Sequence, residues 1–303
     1  MTIRFVGNGV FLNLLIKLRC SKKVLDQSHV MFFDSHAHLQ EYMKSDDIGR
    51  YQDELYDHGV KGILTVSYDR GSSLKAAEII GSHEASESLR RADTQRDQST
   101  AIFRACGIHP EHAGEEFPQE LIKTESSFKK TFCAIGEIGL DYRDGMPPRE
   151  LQQIRFEEQL ELCMDLKLPA VIHSVHACDD TLRILKKFKG LRSVMHGFSY
   201  SAQAAKEYIK LGAYIGIGTR ILDERARRLP ETVREIPVES MLLETDMPFC
   251  RQYNARTSAN NRAAAHAALL TDIAEAISSI KHLPAPRIAE ITTKNAERFI
   301  QGG

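Results

Sequence analysis

Eight short apolar runs, each separated from the next by enough chain for a crossover, constrain this 303-residue sequence more than any other feature. They fall at 32–35, 60–67, 103–107, 133–138, 170–173, 193–196, 213–217 and 241–244. Most are almost continuously apolar and lack the alternation of a half-exposed strand, the pattern of a parallel strand covered on both faces. The intervening segments carry helical spacing. Residues 149–166 follow Pro147-Pro148 and set Leu151, Ile154, Phe156, Leu160, Leu162 and Leu166 at near-helical intervals, and 176–188 and 201–211 read alike. An alanine-rich helix over 261–280 and a last helix over 286–300 complete an outer ring. Eight successive βα units predict an α/β fold, a single (β/α)8 TIM barrel, and the length suits one such domain over residues 31–303.

Residues 1–30 read as an extension outside the barrel. Their apolar stretch, 5–16, is interrupted by Gly7, Asn8, Gly9 and Asn13 and followed by Lys17 and Arg19. It is shorter than the roughly eighteen residues of a membrane span and carries its charge on the wrong side for a secretory signal. Met31, directly ahead of the first strand, is then an alternative start. Residues 82–100 are polar and charged with no apolar stripe, an expected insertion between the second helix and third strand. Forty basic against 41 acidic residues give a net charge of -1, which excludes broad, sequence-independent wrapping of a nucleic acid backbone but leaves room for a small phosphate cleft. Cys20, Cys106, Cys133, Cys163, Cys178 and Cys250 form no Cys-x-x-Cys pair and fit reduced thiols in a cytoplasmic protein. A monomer without a membrane partner is expected.

A barrel of this kind builds its active site from the C-terminal ends of its strands, and those ends are where the ionisable residues collect. The first run leads into Asp34-Ser35-His36-Ala37-His38, whose two histidines share one face of a strand. The third leads to His109, the fourth to Glu137 and Asp141, the fifth to His173, the sixth to His196, and the eighth to Glu244-Thr245-Asp246. Buried ionisable groups are costly unless paired or bound to metal, so His36, His38, His173 and His196 with Glu137 and Asp246 make a suitable donor set for a two-metal hydrolytic site. His29, His58, His83, His112, His176, His266 and His282 lie in helix, loop or extension contexts and are expected to be ordinary surface residues.

The motifs DSHAHL, GIHP at 107–110, IGEIGLD at 135–141, PAVIHS at 169–174, HGFS at 196–199, ETDMP at 244–248 and the closing ITTKNAERFI together resemble the TatD family of metal-dependent deoxyribonucleases, within the amidohydrolase-like barrels. The resemblance runs in order from Met31 to Ile300. It implies that His36, His38, Glu137 and Asp246 hold one metal and that Glu137 bridges to a second, also held by His173 and His196. Two departures stand out. Tyr200 occupies a place where the family commonly has glycine, and 253–261 reads YNARTSANN where an arginine-rich segment is usual.

Two divalent ions (Mg²⁺, Mn²⁺ or Zn²⁺) sharing a water would lower its pKa and polarise the bond under attack. Asp246 is expected to orient that water and take its proton, and His109 to donate to a substrate oxygen. The expected reaction is hydrolysis of a phosphodiester from a DNA end, single-stranded or terminal. The alternatives are a small phosphoester, a carbonyl substrate (amide, lactone or aminoacyl ester), or a metal-binding barrel without turnover.

Overall fold

The eight apolar runs form eight parallel strands in sequential order: β1 (Phe32–Ala37), β2 (Val60–Val66), β3 (Ala101–Cys106), β4 (Ala134–Asp141), β5 (Ala170–Val175), β6 (Ser193–Met195), β7 (Ala213–Ile217) and β8 (Met241–Leu243). The computed structural model describes residues 30–79, 99–122, 125–252 and 261–302. Most of the extension at the N-terminus, nearly all of the insertion at 82–100 and most of the 253–261 segment lie outside them.

β1 and β8 are linked to each other by bonds at and just past their C-terminal ends. Ser35 Oγ donates to the Leu243 carbonyl at 2.9 Å, the Asp246 amide to the His36 carbonyl at 2.8 Å, and the His38 amide to the Met247 carbonyl at 2.7 Å. Helices α1 (Ser45–Asp57), α2 (Arg70–Ile79), α3 (Glu125–Thr131), α4 (Arg149–Leu166), α5 (Cys178–Leu185), α6 (Ala202–Lys210), α7 (Arg228–Glu235), α8 (Arg262–Lys281) and α9 (Ala285–Gln301) make the outer layer.

Each strand turns its two faces to two different cores. Phe33, Leu64, Phe103, Val171, Val194 and Leu242 fill the barrel interior, while Ile63, Ile102, Ile135, Ile172, Ile215 and Leu243 meet the helices. The interior cluster also takes in Ala296, Phe299 and Ile300 of α9. That helix is tied to strand beginnings, with Thr293 Oγ1 donating to the Met31 carbonyl at 2.9 Å and Asn295 Nδ2 to the Met241 carbonyl at 2.9 Å. Apolar side chains therefore stopper the N-terminal end of the barrel, and the polar residues are left to the other end.

The buried face of α4 differs from the one its leucine spacing suggests. Ile154 is 57% exposed, whereas Gln152 and Gln159 are buried. Both glutamines are spent on loops: Gln152 Oε1 accepts from the Asp141 amide at 2.8 Å, and Gln159 Oε1 accepts from the Ile108 amide at 2.8 Å. Their Nε2 groups return bonds to the Asp141 and Ile108 carbonyls at 2.8 and 3.0 Å. These side-chain amides satisfy buried backbone groups at the end of β4 and in the loop after β3, which would be costly to leave unpaired. The result is a helix that clamps the two loops leading from β3 and β4.

Candidate metal centre

The register of β1 against β2 breaks between Asp34 and Ala37, and a break of this kind re-aims side chains at a strand end. Here it turns His36 and His38 so that their Nε2 atoms lie 3.2 Å apart. Asp246, in a left-handed backbone conformation (φ 58°) just after β8, brings Oδ1 to 3.2 Å from His38 Nε2 and 4.0 Å from His36 Nε2. Glu137, on the irregular middle of β4, presents Oε2 to His36 Nε2 at 3.5 Å. Its other oxygen, Oε1, lies 2.8 Å from His173 Nδ1, 3.8 Å from His196 Nε2 and 3.9 Å from His109 Nε2.

All six expected donors and His109 thus meet at one end of the barrel. Their atoms fall into three overlapping groups within which every pair lies within 4.8 Å: His36, His38 and Asp246; His36, Glu137 and His196; His109, Glu137 and His173. His173 and His196 do not share a group, and their ring centroids are 6.4 Å apart. Asp69, His112 and Glu115 make a further group of that size, but Asp69 Oδ1 accepts from the Ser72 amide at 2.6 Å and Glu115 Oε2 from the Arg70 amide at 3.3 Å. Those carboxylates are occupied with capping α2.

The tautomers implied by the surroundings fit a metal. His38 Nδ1 sits 2.7 Å from the Val66 carbonyl, which can only accept, so that nitrogen carries hydrogen and the neutral ring aims the lone pair of Nε2 at His36 and Asp246. His173 Nε2 is 3.0 Å from Asp141 Oδ2, which leaves Nδ1 free to bind a cation beside Glu137. Asp141 is in turn gripped by Arg143, whose Nε donates to both carboxylate oxygens at 2.9 Å. His196 stacks on His36 with centroids 3.5 Å apart and faces Glu244 Oε2 with Nδ1 at 3.2 Å. Histidines that offer one nitrogen to a common point and have the other held by a carboxylate or carbonyl are arranged as metal ligands usually are. His36 and His196 are exceptions in hydrogen-bond geometry: the buried Nδ1 of each has no hydrogen-bond partner among the described residues, although that of His196 has the Glu244 carboxylate 3.2 Å away.

His109 is different. Its Nδ1 accepts from the Glu111 amide at 3.2 Å, so in the neutral ring Nε2 bears the hydrogen. Burial drives its pKa down to about 3, which keeps it neutral. It is a hydrogen-bond donor at the mouth rather than a lone-pair donor to a cation.

With only protein charges present, the carboxylates draw protons onto the histidines. Burial opposes the charged form of His196, yet Glu244 and Glu137 beside it raise its pKa to about 10. His38 and His173 are also raised against burial, by Asp246 and by Asp141 with Glu137 respectively. His36 moves down because burial and the neighbouring His196 outweigh Glu137. Burial pushes Glu137 and Asp246 upward, but the surrounding histidines hold both below the usual carboxylate range. A concentration of negative charge that must recruit protons is equally a site for a divalent cation.

Several supporting residues went unread in the sequence. His266, expected on the surface, is completely buried: its Nε2 lies 2.6 Å from Asp34 Oδ2 and its Nδ1 3.0 Å from the Tyr51 hydroxyl. Glu244 accepts from the Gly197 amide at 2.7 Å and packs on β7, where a Cβ at Gly216 would collide with its carboxylate. The repeated Gly-x-Gly of that strand, Gly216 and Gly218, was the signal that something had to fit there. His58, His176 and His282 are exposed and His112 partly so, as expected of surface residues; His29 and His83 lie outside the described residues. The Tyr200 hydroxyl accepts from the Ala177 amide at 3.0 Å and contacts Ser174 Oγ at 3.1 Å, tying the loops after β5 and β6 together.

A TIM barrel with this donor set at its C-terminal mouth defines a metal-dependent hydrolase. Within that class the chain belongs to the TatD related DNase family, whose model matches residues 33–301. It is 31% identical over 275 residues to the uncharacterized metal-dependent hydrolase YabD of Bacillus subtilis, covering 89% of this chain and 99% of the relative. In fold it is similar to the TatD homolog YJJV of Escherichia coli (TM-score 0.71, 24% identity, 90% of this chain and 98% of that one). It is also similar to a TatD family hydrolase of Entamoeba histolytica (TM-score 0.72, 22% identity, 91% and 99%).

Proposed function

We propose that the protein is a deoxyribonuclease that hydrolyses phosphodiester bonds from a DNA end, using two divalent metals held by His36, His38, Glu137, Asp246, His173 and His196. The observation that carries this reading is Glu137, whose Oε2 faces His36 at 3.5 Å while Oε1 faces His173 at 2.8 Å. One carboxylate turned toward two separate sets of nitrogens is what a bridging ligand requires.

Ions held by these residues would supply an acidified water and neutralise charge on the phosphoryl oxygens. Asp246, held ionised and with its side chain 37% exposed at the mouth, orients that water and accepts its proton. His109 donates its Nε2 hydrogen to a substrate oxygen where negative charge grows. Asp141, with Arg143 behind it, keeps the His173 ring in place, and the Val66 carbonyl does the same for His38. A barrel mouth suits a strand terminus better than continuous duplex. Among the described residues, Cys106, Cys133, Cys163 and Cys178 form no disulfide, which supports a reducing compartment such as the cytosol. No helix of the described residues is long and apolar enough to cross a membrane.

The test is a substrate panel on protein loaded with Mg²⁺, Mn²⁺ or Zn²⁺, with metal content measured in parallel. Linear single-stranded DNA should be shortened from an end and closed single-stranded circles should survive. Turnover of esters or amides with none of DNA would assign carbonyl chemistry to the site instead.

A further inference from the structure

Phe249 is 56% exposed, and it is the only exposed phenylalanine or tyrosine among the described residues. The other large apolar side chains left in water, Leu74, Ile154, Met164 and Leu283, belong to the outer helical layer and its links. Phe249 instead sits at the mouth. The turn after β8 fixes its backbone, with the Phe249 amide donating to the Asp246 carbonyl at 2.8 Å, and its ring centroid lies 4.9 Å from that of His38. Tyr68 stands next to both, 6.2 Å from Phe249 and 5.8 Å from His38, and its far side meets His112 at 5.9 Å with the planes 28° apart. Tyr68 is itself anchored: its carbonyl accepts from the His109 amide at 2.8 Å. An aromatic ledge therefore runs outward from a candidate metal ligand, and its outermost phenyl forgoes burial that the fold gives, wholly or in part, to every other phenylalanine described.

We propose that Phe249, flanked by Tyr68, is a stacking subsite for the nucleobase adjoining the scissile phosphodiester. The inference rests on the phosphodiesterase reading and adds to it where affinity comes from. A chain of net charge -1 has no surplus of cations with which to grip a long phosphate backbone. Stacking on an aromatic face is open to all four bases and needs a single nucleotide, so it suits recognition of an end without sequence preference. A base on this ledge lies next to His38 and hence places its own phosphate over the donor cluster.

Steady-state kinetics on the metal-loaded protein, with linear oligonucleotides that are intact or carry an abasic tetrahydrofuran residue at either terminus, test this directly. For the wild type, loss of the base at the engaged end should raise KM roughly ten-fold. Phe249→Leu keeps an apolar side chain over His38 but removes the flat ring, so the ratio of KM between abasic and intact substrate should fall to near one, while Phe249→Tyr should retain it. Metal content and Tm of each variant are measured alongside. An abasic penalty that persists unchanged in Phe249→Leu would overturn the subsite and leave the phosphodiesterase reading intact, as would a wild-type enzyme indifferent to the terminal base. No turnover of any oligonucleotide by the loaded wild type would overturn both.

Discussion

Asp34 Oδ2 lies 2.6 Å from His266 Nε2, so a carboxylate from the first strand and an imidazole from the eighth helix are joined in the dry layer between barrel and helices. The same carboxylate oxygen accepts from Thr245 Oγ1 at 2.6 Å, and the other accepts from the backbone amides of His36 at 3.1 Å and Thr245 at 3.0 Å. Thr245 precedes Asp246. One buried side chain thus holds the two segments that present His36 and Asp246, and His266 holds that side chain. The chain of contacts continues to the Tyr51 hydroxyl of α1, 3.0 Å from His266 Nδ1.

His266→Ala should therefore damage both stability and the site. Removing the imidazole takes a partner from a buried carboxylate that keeps its bonds to Thr245 and the His36 amide, a loss on the order of 2 kcal/mol. Urea unfolding should show the midpoint drop with the slope unchanged, and metal titration should show affinity falling by roughly 10- to 100-fold, as for other groups that orient ligands from behind. A variant that loses stability while binding metal as tightly as wild type would mean the pair only packs.

Glu137→Ala should lower bound metal below one ion per chain and abolish turnover, because a single carboxylate addresses both sets of nitrogens. Elemental analysis of the purified variant is the check. Full metal content with full turnover would remove Glu137 from the bridging role.

How much of this was legible follows from what kind of physics set each feature. The strands and the donors were readable because parallel strands covered on both faces leave continuous apolar runs, and a barrel puts its chemistry where those runs stop. Boundaries erred by a few residues; β3 begins at Ala101 and not 103, and His196 and Glu244 follow their strands instead of ending them. What stayed hidden were partners set by tertiary contact. Gln152 and Gln159 look like solvent-facing residues of an amphipathic helix, and nothing local says that bare loop amides lie beneath them. His266 sits in an alanine-rich helix with no periodic mark. Its significance depends on Asp34, which lies 232 positions away in sequence.

The site should also give the metal-free protein a pH dependence of definite sign. The pKa of His196 is raised to about 10 in the folded state, with burial opposing and Glu244 and Glu137 prevailing. Protonated His196 therefore stabilises the fold fully below its unfolded pKa of about 6.5, and that contribution is lost as pH rises towards 10. Tm of protein stripped with chelator should decline across that window. With metal bound the same nitrogen is needed unprotonated, so metal affinity should rise with pH and the decline in Tm should vanish. Parallel Tm curves with and without metal would contradict this account of the charge balance.

Asp246 is proposed for two tasks, and Asp246→Asn separates them. The amide keeps the shape and one coordinating oxygen, so metal binding should weaken only modestly, and His36, His38 and Glu137 remain to hold the ion. As a base, however, an amide oxygen is far too weak to take a proton from water at neutral pH. Turnover should fall by about 10²- to 10⁴-fold with KM little changed, and saturating Mn²⁺ or Mg²⁺ should not restore it. If excess metal returns the variant to near the wild-type rate, Asp246 is a ligand alone and the proton goes elsewhere. His109 is a poor substitute, because its Nδ1 already accepts from the Glu111 amide and its Nε2 carries a hydrogen. Glu137 would then be the remaining carboxylate within reach of the same water.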